Sequence, residues 1–157
     1  MADTKHGFIL SPSTWLGEGK IRLNMVEEEL AFYTRWDISN SDPAGKIDCT
    51  QEIQVKGLSD LMLNQFSFFD LSANNFTIEL ENQALGRVKG EGLINDKVIA
   101  WEFRIEDIGF EGFEFYELQP DNSYLMRAEY ATSDQFRTLI QGKMWKQAAP
   151  TKKEKKA

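Results

Sequence analysis

Residues Trp15 to Asp37 read WLGEGKIRLNMVEEELAFYTRWD, and the reading of this stretch decides the fold. From Trp15 to Met25 the side chains Trp15, Ile21, Leu23 and Met25 share one parity, with Gly17 and Gly19 on the same face between them. Alternation of that period marks a strand with one buried and one wet face. Leu30, Phe32, Thr34 and Trp36 continue as the inward face of a second strand, while Glu29, Tyr33, Arg35 and Asp37 point outward. Glycines inside a strand mark a bend or a close backbone approach, which here fits the sharp coil of a barrel's first strand.

A copy of this hairpin returns at Val88 to Glu106, VKGEGLINDKVIAWEFRIE. Gly17-Glu18-Gly19 matches Gly90-Glu91-Gly92, and Ala31-Phe32 with Arg35 matches Ala100-Trp101 with Arg104. Further on, Ser72-Ala73-Asn74-Asn75-Phe76 matches Ser133-Asp134-Gln135-Phe136 in the same order. Ordered self-similarity of this kind indicates a duplicated unit. Counting the alternating runs between turn signals gives two halves of five strands. The expected fold is therefore all-β, a single closed or nearly closed antiparallel up-and-down barrel of about ten strands. Closure removes the long edges that a flat sheet of that size would expose.

Within this scheme residues 1–12 form a lead-in, with Phe8 and Leu10 placed to cover one barrel end, and 13–147 form the barrel. The segment 148–157, AAPTKKEKKA, is a charged low-complexity end expected to be disordered. Leu61 to Leu71 is apolar on both parities, so both of its faces are expected to be covered. Phe113 and Phe115 mark the eighth strand and its inward face. The lumen is expected to be lined by Trp15, Phe32, Trp36, Gln51, Trp101, Phe103, Phe115, Tyr124, Tyr130 and Met144, with Phe113 beside them. Thr34, Gln65, Ser67 and Thr138 are further uncharged polar points, and no charge is expected inside.

At 157 residues one domain suffices. A net charge of −7 argues against a nucleic-acid partner, because counterion release needs a basic surface. No apolar run is long enough for a helical membrane span, and the N-terminal run is too short for a signal peptide, so a cytoplasmic location is expected. The one cysteine, Cys49, has no second thiol for a disulfide or a metal cluster and reads as a small buried hydrophobe.

The Trp15-Leu16-Gly17-Glu18-Gly19 stretch, followed by an up-and-down run of strands, resembles the start of calycin-type barrels. It looks most like the ten-stranded nitrobindin-type branch and more distantly like lipocalins and fatty-acid-binding proteins, although Ser13 stands where lipocalins carry a glycine. The resemblance implies a barrel that can hold an apolar ligand, with haem in the nitrobindin branch. Haem there needs a late histidine, and the single histidine of this chain is His6. No cofactor is therefore carried over.

Catalytic chemistry is not expected. Glu18 and Glu91 hold matching repeat positions but lie on the outward parity, and no nucleophile elbow, phosphate loop or triad spacing is visible. An enzyme would require Glu18, Glu91 or Glu117 to turn inward with a perturbed carboxyl. The arginines also lie on the polar parity, which puts a fatty-acid clamp in doubt. The leading expectation is a barrel that binds a small apolar or amphipathic, uncharged or weakly charged molecule against its aromatic interior. The alternative is a side-chain-filled barrel acting as an interaction module, such as a homodimer, through an apolar face at Met62, Phe66 and Phe68.

Overall fold

The computed structural model describes residues 6–133 and 136–148. Asp134 and Gln135 of the second-half match, and all of the charged end except Ala148, lie outside them. Among the described residues ten strands form. They are β1 (Ser13–Leu23), β2 (Glu29–Ile38), β3 (Ile47–Val55), β4 (Met62–Phe69), β5 (Asn75–Asn82), β6 (Gly86–Ile94), β7 (Val98–Ile105), β8 (Phe110–Leu118), β9 (Tyr124–Ala131) and β10 (Arg137–Lys146). Each strand pairs antiparallel with its sequence neighbours, and β1 pairs with β10, so the sheet closes into an up-and-down barrel. The Gly-Glu-Gly tripeptides lie in β1 and β6, five strands apart.

Local chemistry explains the turns. Between β6 and β7 the Asn95 side-chain oxygen accepts hydrogen bonds from the amides of Lys97 and Val98, both at 2.9 Å, which closes a short hairpin. At the closing seam Gly19 stands directly opposite Gly142. A Cβ on Gly142 would lie 2.6 Å from the Glu18 carbonyl oxygen, so the backbones meet here only because no side chain separates them.

The inner faces carry Trp15, Phe32, Trp36, Phe66, Phe68, Phe76, Ile78, Trp101, Phe103, Tyr116, Tyr124 and Met144, all buried in one cluster. The two barrel ends differ. At the end of the turns after β2, β4, β6 and β8, the lead-in folds across the opening and buries Phe8 and Ile9 completely. At the other end, where β1 turns into β2 and β7 into β8, the inward Ile21, Leu30, Ile53, Leu85, Ile105, Phe110, Tyr130 and Ile140 are only half-buried. One end is thus plugged, and the other, the mouth, is the less buried of the two.

Two expectations about strand faces are corrected. In β8 the inward residues are Gly112, Glu114 and Tyr116, while Phe113 and Phe115 lie on the outer face, Phe115 at 39% exposure. A short 3-10 turn (Glu106–Ile108) and Gly109, in the left-handed region at φ 64°, make Phe110 pair with Ile105. Directly opposed residues share a face, so Glu114 must follow Trp101, and Tyr116 must follow Ile99. In β4, Phe66 and Phe68 are buried inside the barrel and not exposed, which removes them from the expected interaction face. Gln65 is exposed, and the Ser67 hydroxyl donates to Asp48 at 2.7 Å, so neither is a lumen polar point, whereas Asn64 is the inward residue nearby.

Candidate functional site

The plugged half of the lumen is built from rings in contact. Phe8 lies with centroid separations of 5.5 Å from Trp15, 5.1 Å from Trp36, 4.9 Å from Tyr116 and 5.6 Å from Tyr124. Trp36 continues the chain to Phe66 at 5.0 Å and Trp101 at 6.1 Å, and Trp101 meets Tyr116 at 5.0 Å. Apart from the stacked Trp36–Phe66 pair these contacts are tilted or edge-on, and offset-stacked and edge-on arrangements are both favoured for aromatic pairs.

His6 fastens the plug. Its Nδ1 is 2.6 Å from the Tyr124 hydroxyl, and its Nε2 is 2.6 Å from the Asn95 carbonyl oxygen, to which it must donate. Burial lowers its pKa, against the opposing Asn95 hydrogen bond and the Asp96 charge. Both ring nitrogens are thus engaged in the plug. Cys49 is buried, and burial, with Asp48 adding to it, raises its pKa and holds the thiol protonated.

Polar groups line the interior on opposite sides of the ring of strands. On β2 to β5, Gln51 Nε2 donates to Thr34 Oγ1 at 3.1 Å, Asn64 Nδ2 to Gln51 Oε1 at 2.9 Å, and Asn82 Nδ2 to Asn64 Oδ1 at 2.9 Å. On β8 and β9 stands Glu114, the one buried acidic residue among the described residues. The Tyr116 hydroxyl donates to one of its oxygens and the Tyr130 hydroxyl to the other. Burial raises the Glu114 pKa, and the two phenol hydrogen bonds oppose that rise. Both phenols are themselves shifted well up, by burial first and then by the Glu114 charge, so they remain donors.

Sequence-local features make this clamp possible. Tyr130 pairs with Gly112, and a Cβ at Gly112 would overlap the Tyr130 ring, so the ring lies flat over the glycine and carries its hydroxyl to Glu114. Ala128 stands opposite Glu114 on the same strand as Tyr130. Trp36 and Trp101 each bury an indole N–H with no hydrogen-bond partner among the described residues. Trp15, by contrast, donates its N–H to Ser13 Oγ at 3.0 Å. Buried polar groups are normally satisfied, so the two orphans mark the lumen as polar-competent.

Of the residues expected in the lumen, Trp15, Phe32, Trp36, Gln51, Trp101, Phe103, Tyr124 and Met144 are inward and buried, and Tyr130 is inward and half-buried at the mouth. Phe115 is not in the lumen at all. Glu114 and Tyr116 were missed, because the two phenylalanines of FEGFEFYEL drew the inward parity to themselves. Carrying the strand register across the short turn at Gly109 is the signal that would have found them.

No family model matches the sequence, and no curated protein matches it. Among solved structures the chain is similar to an S-type phycobiliprotein lyase from Guillardia theta, at 9% sequence identity and a TM-score of 0.64, covering 89% of this chain and 90% of that one. At that identity the likeness concerns the fold, a calycin-like closed barrel. The expectation that this chain is not an enzyme is overturned. A fold neighbour is a lyase by name, and a titratable carboxyl sits in the interior where no charge was expected. Glu18, Glu91 and Glu117 are outward and exposed, so the inward turn that an enzyme was expected to require of one of them does not occur.

Proposed function

We propose that the barrel takes up a small, largely apolar molecule carrying a basic or hydrogen-bond-donating group, and handles it in the lumen with Glu114 as the reactive polar group. The observation that carries this reading is the buried carboxyl between Tyr116 and Tyr130, next to a half-buried mouth. Burying a carboxyl costs several kcal/mol unless its bonding is complete, and an apolar residue would fill a purely structural core more stably.

The chemistry follows from the clamp. As a carboxylate Glu114 keeps its two phenol donors while pairing with a cationic group that enters from the mouth, and in its protonated form it gives that proton to an entering base. The aromatic interior holds the apolar part, and the indole N–H groups of Trp36 and Trp101 offer donors to ligand acceptors. This arrangement can position a ligand and move one proton, the elements of general acid and base work. The lyase name of the fold neighbour supports looking for a reaction as well as for binding.

The test uses 1-aminoanthracene, an apolar fluorophore with one amine, together with native mass spectrometry of freshly purified protein. Binding is expected to raise the probe's emission and quench tryptophan, and Glu114→Gln and Tyr130→Phe should weaken it while leaving the fold intact. If the probe stays dark and no small molecule co-purifies, the lumen is a filled core and the reading is wrong.

A further inference from the structure

On the outer face Glu91 of β6 and Glu102 of β7 stand directly opposite one another. Like charges at opposed positions repel, and neither carboxylate joins an ion pair among the described residues. One step along the same strands Leu93, Ala100 and Phe115 form a row across β6, β7 and β8, with Phe113 opposite Glu102. Leu93 is 66% exposed, whereas Ala100 is only 6% exposed although it faces outward. The small residue is therefore the floor of a notch between two large apolar side chains. These residues line a groove of about 920 Å³, with Lys89 as the cation at its rim. Lys89 stands opposite Glu79. Arg127 lies 5.8 Å over the Phe115 ring, so the cation-accepting face of that ring is already in use.

We propose that this groove docks a basic, amphipathic peptide segment of a partner protein. One lysine or arginine bridges Glu91 and Glu102, and the neighbouring aliphatic or aromatic side chain enters the notch over Ala100 between Leu93 and Phe115. Charge complementarity selects the partner: two like charges at opposed positions favour an incoming cation between them. The apolar row supplies the contact area that an exposed ion pair by itself would lack. The site faces away from the lumen, so it is independent of the Glu114 chemistry.

The experiment titrates the full chain with a fluorescein-labelled peptide alternating lysine with leucine and phenylalanine, against a counterpart with glutamate in place of lysine. Anisotropy should report binding of the lysine peptide only, and amide shifts should cluster on β6 to β8. Replacing both carboxylates, Glu91→Gln with Glu102→Gln, should weaken binding about three- to tenfold, and Leu93→Ser should weaken it as well. Unchanged affinity in the double variant, equal binding of the glutamate peptide, or shifts gathered at the mouth would each overturn the proposal. Should removal of residues 149–157 move the same amides in free protein, the chain's own lysine-rich end is the occupant and no partner is needed.

Discussion

The two ends of this barrel are made from the same strands but hold opposite kinds of interior. At the plugged end Phe8, Trp36, Tyr116 and Tyr124 are fully buried, and His6 ties the closure to Tyr124 and Asn95. At the mouth Ile21, Leu30, Ile140 and Tyr130 are half-buried, and the polar groups face the interior space. Rings close on one another at the first end, and the proposed clamp runs from Tyr116 among those rings to Tyr130 at the second. Functional sites are commonly drawn from the less stable part of a fold.

Four measurements break or sharpen this contrast. The largest effect is expected at the plugged end, where Trp36→Ala should cost about 3–5 kcal/mol by urea unfolding, whereas Ile21→Ala at the mouth should cost about 1–2 kcal/mol. Equal costs would erase the distinction between the ends. Next, Gly112→Ala should cost about 1–3 kcal/mol through overpacking, because its methyl displaces the Tyr130 ring from Glu114. It should also abolish 1-aminoanthracene binding, and a variant that retains full binding would show the clamp to be irrelevant.

The ends should also answer pH with opposite signs. The Glu114 carboxyl is raised above its ordinary 4.5, so its proton favours the folded state, and the associated stability is lost as pH rises from 4.5 through the raised value. Glu114→Gln should therefore gain on the wild type as pH rises. His6 is lowered from 6.5, so the unfolded chain binds its proton more readily, and stability is lost as pH falls below 6.5. His6→Gln should gain on the wild type as pH falls, and hydrogen exchange at Phe8 should quicken in the wild type. Unfolding midpoints across pH 4 to 8 for the three proteins decide the matter, and parallel curves would refute both assignments. The smallest effect is expected outside both ends. Glu102→Gln should stabilise by a few tenths of a kcal/mol at low salt, by removing the repulsion from Glu91, and thermal melts at two ionic strengths would reveal it.

The barrel was readable because alternation survives in almost every strand. Trp15 to Leu23, Phe32 to Trp36 and Phe76 to Leu80 each show one apolar parity, and only one face of a closed sheet can be buried. The plug was readable in part: Phe8 covers the end as expected from the lead-in, whereas the contacts of the His6 ring nitrogens with Tyr124 and Asn95 are long-range and have no local signal. The site was the least legible element. FEGFEFYEL is amphipathic in both registers, and hydrophobicity favours the wrong one.

By itself the sequence determined an all-β chain of about ten strands with an aromatic interior, because side-chain period is a local property and each strand carries its own record of it. Tertiary structure alone decided that Glu114 and Tyr116, not Phe113 and Phe115, enter the lumen. Which face of β8 turns inward is set by pairing with Trp101 and Ile99 across one short turn, and pairing is a relation between strands that no single strand encodes.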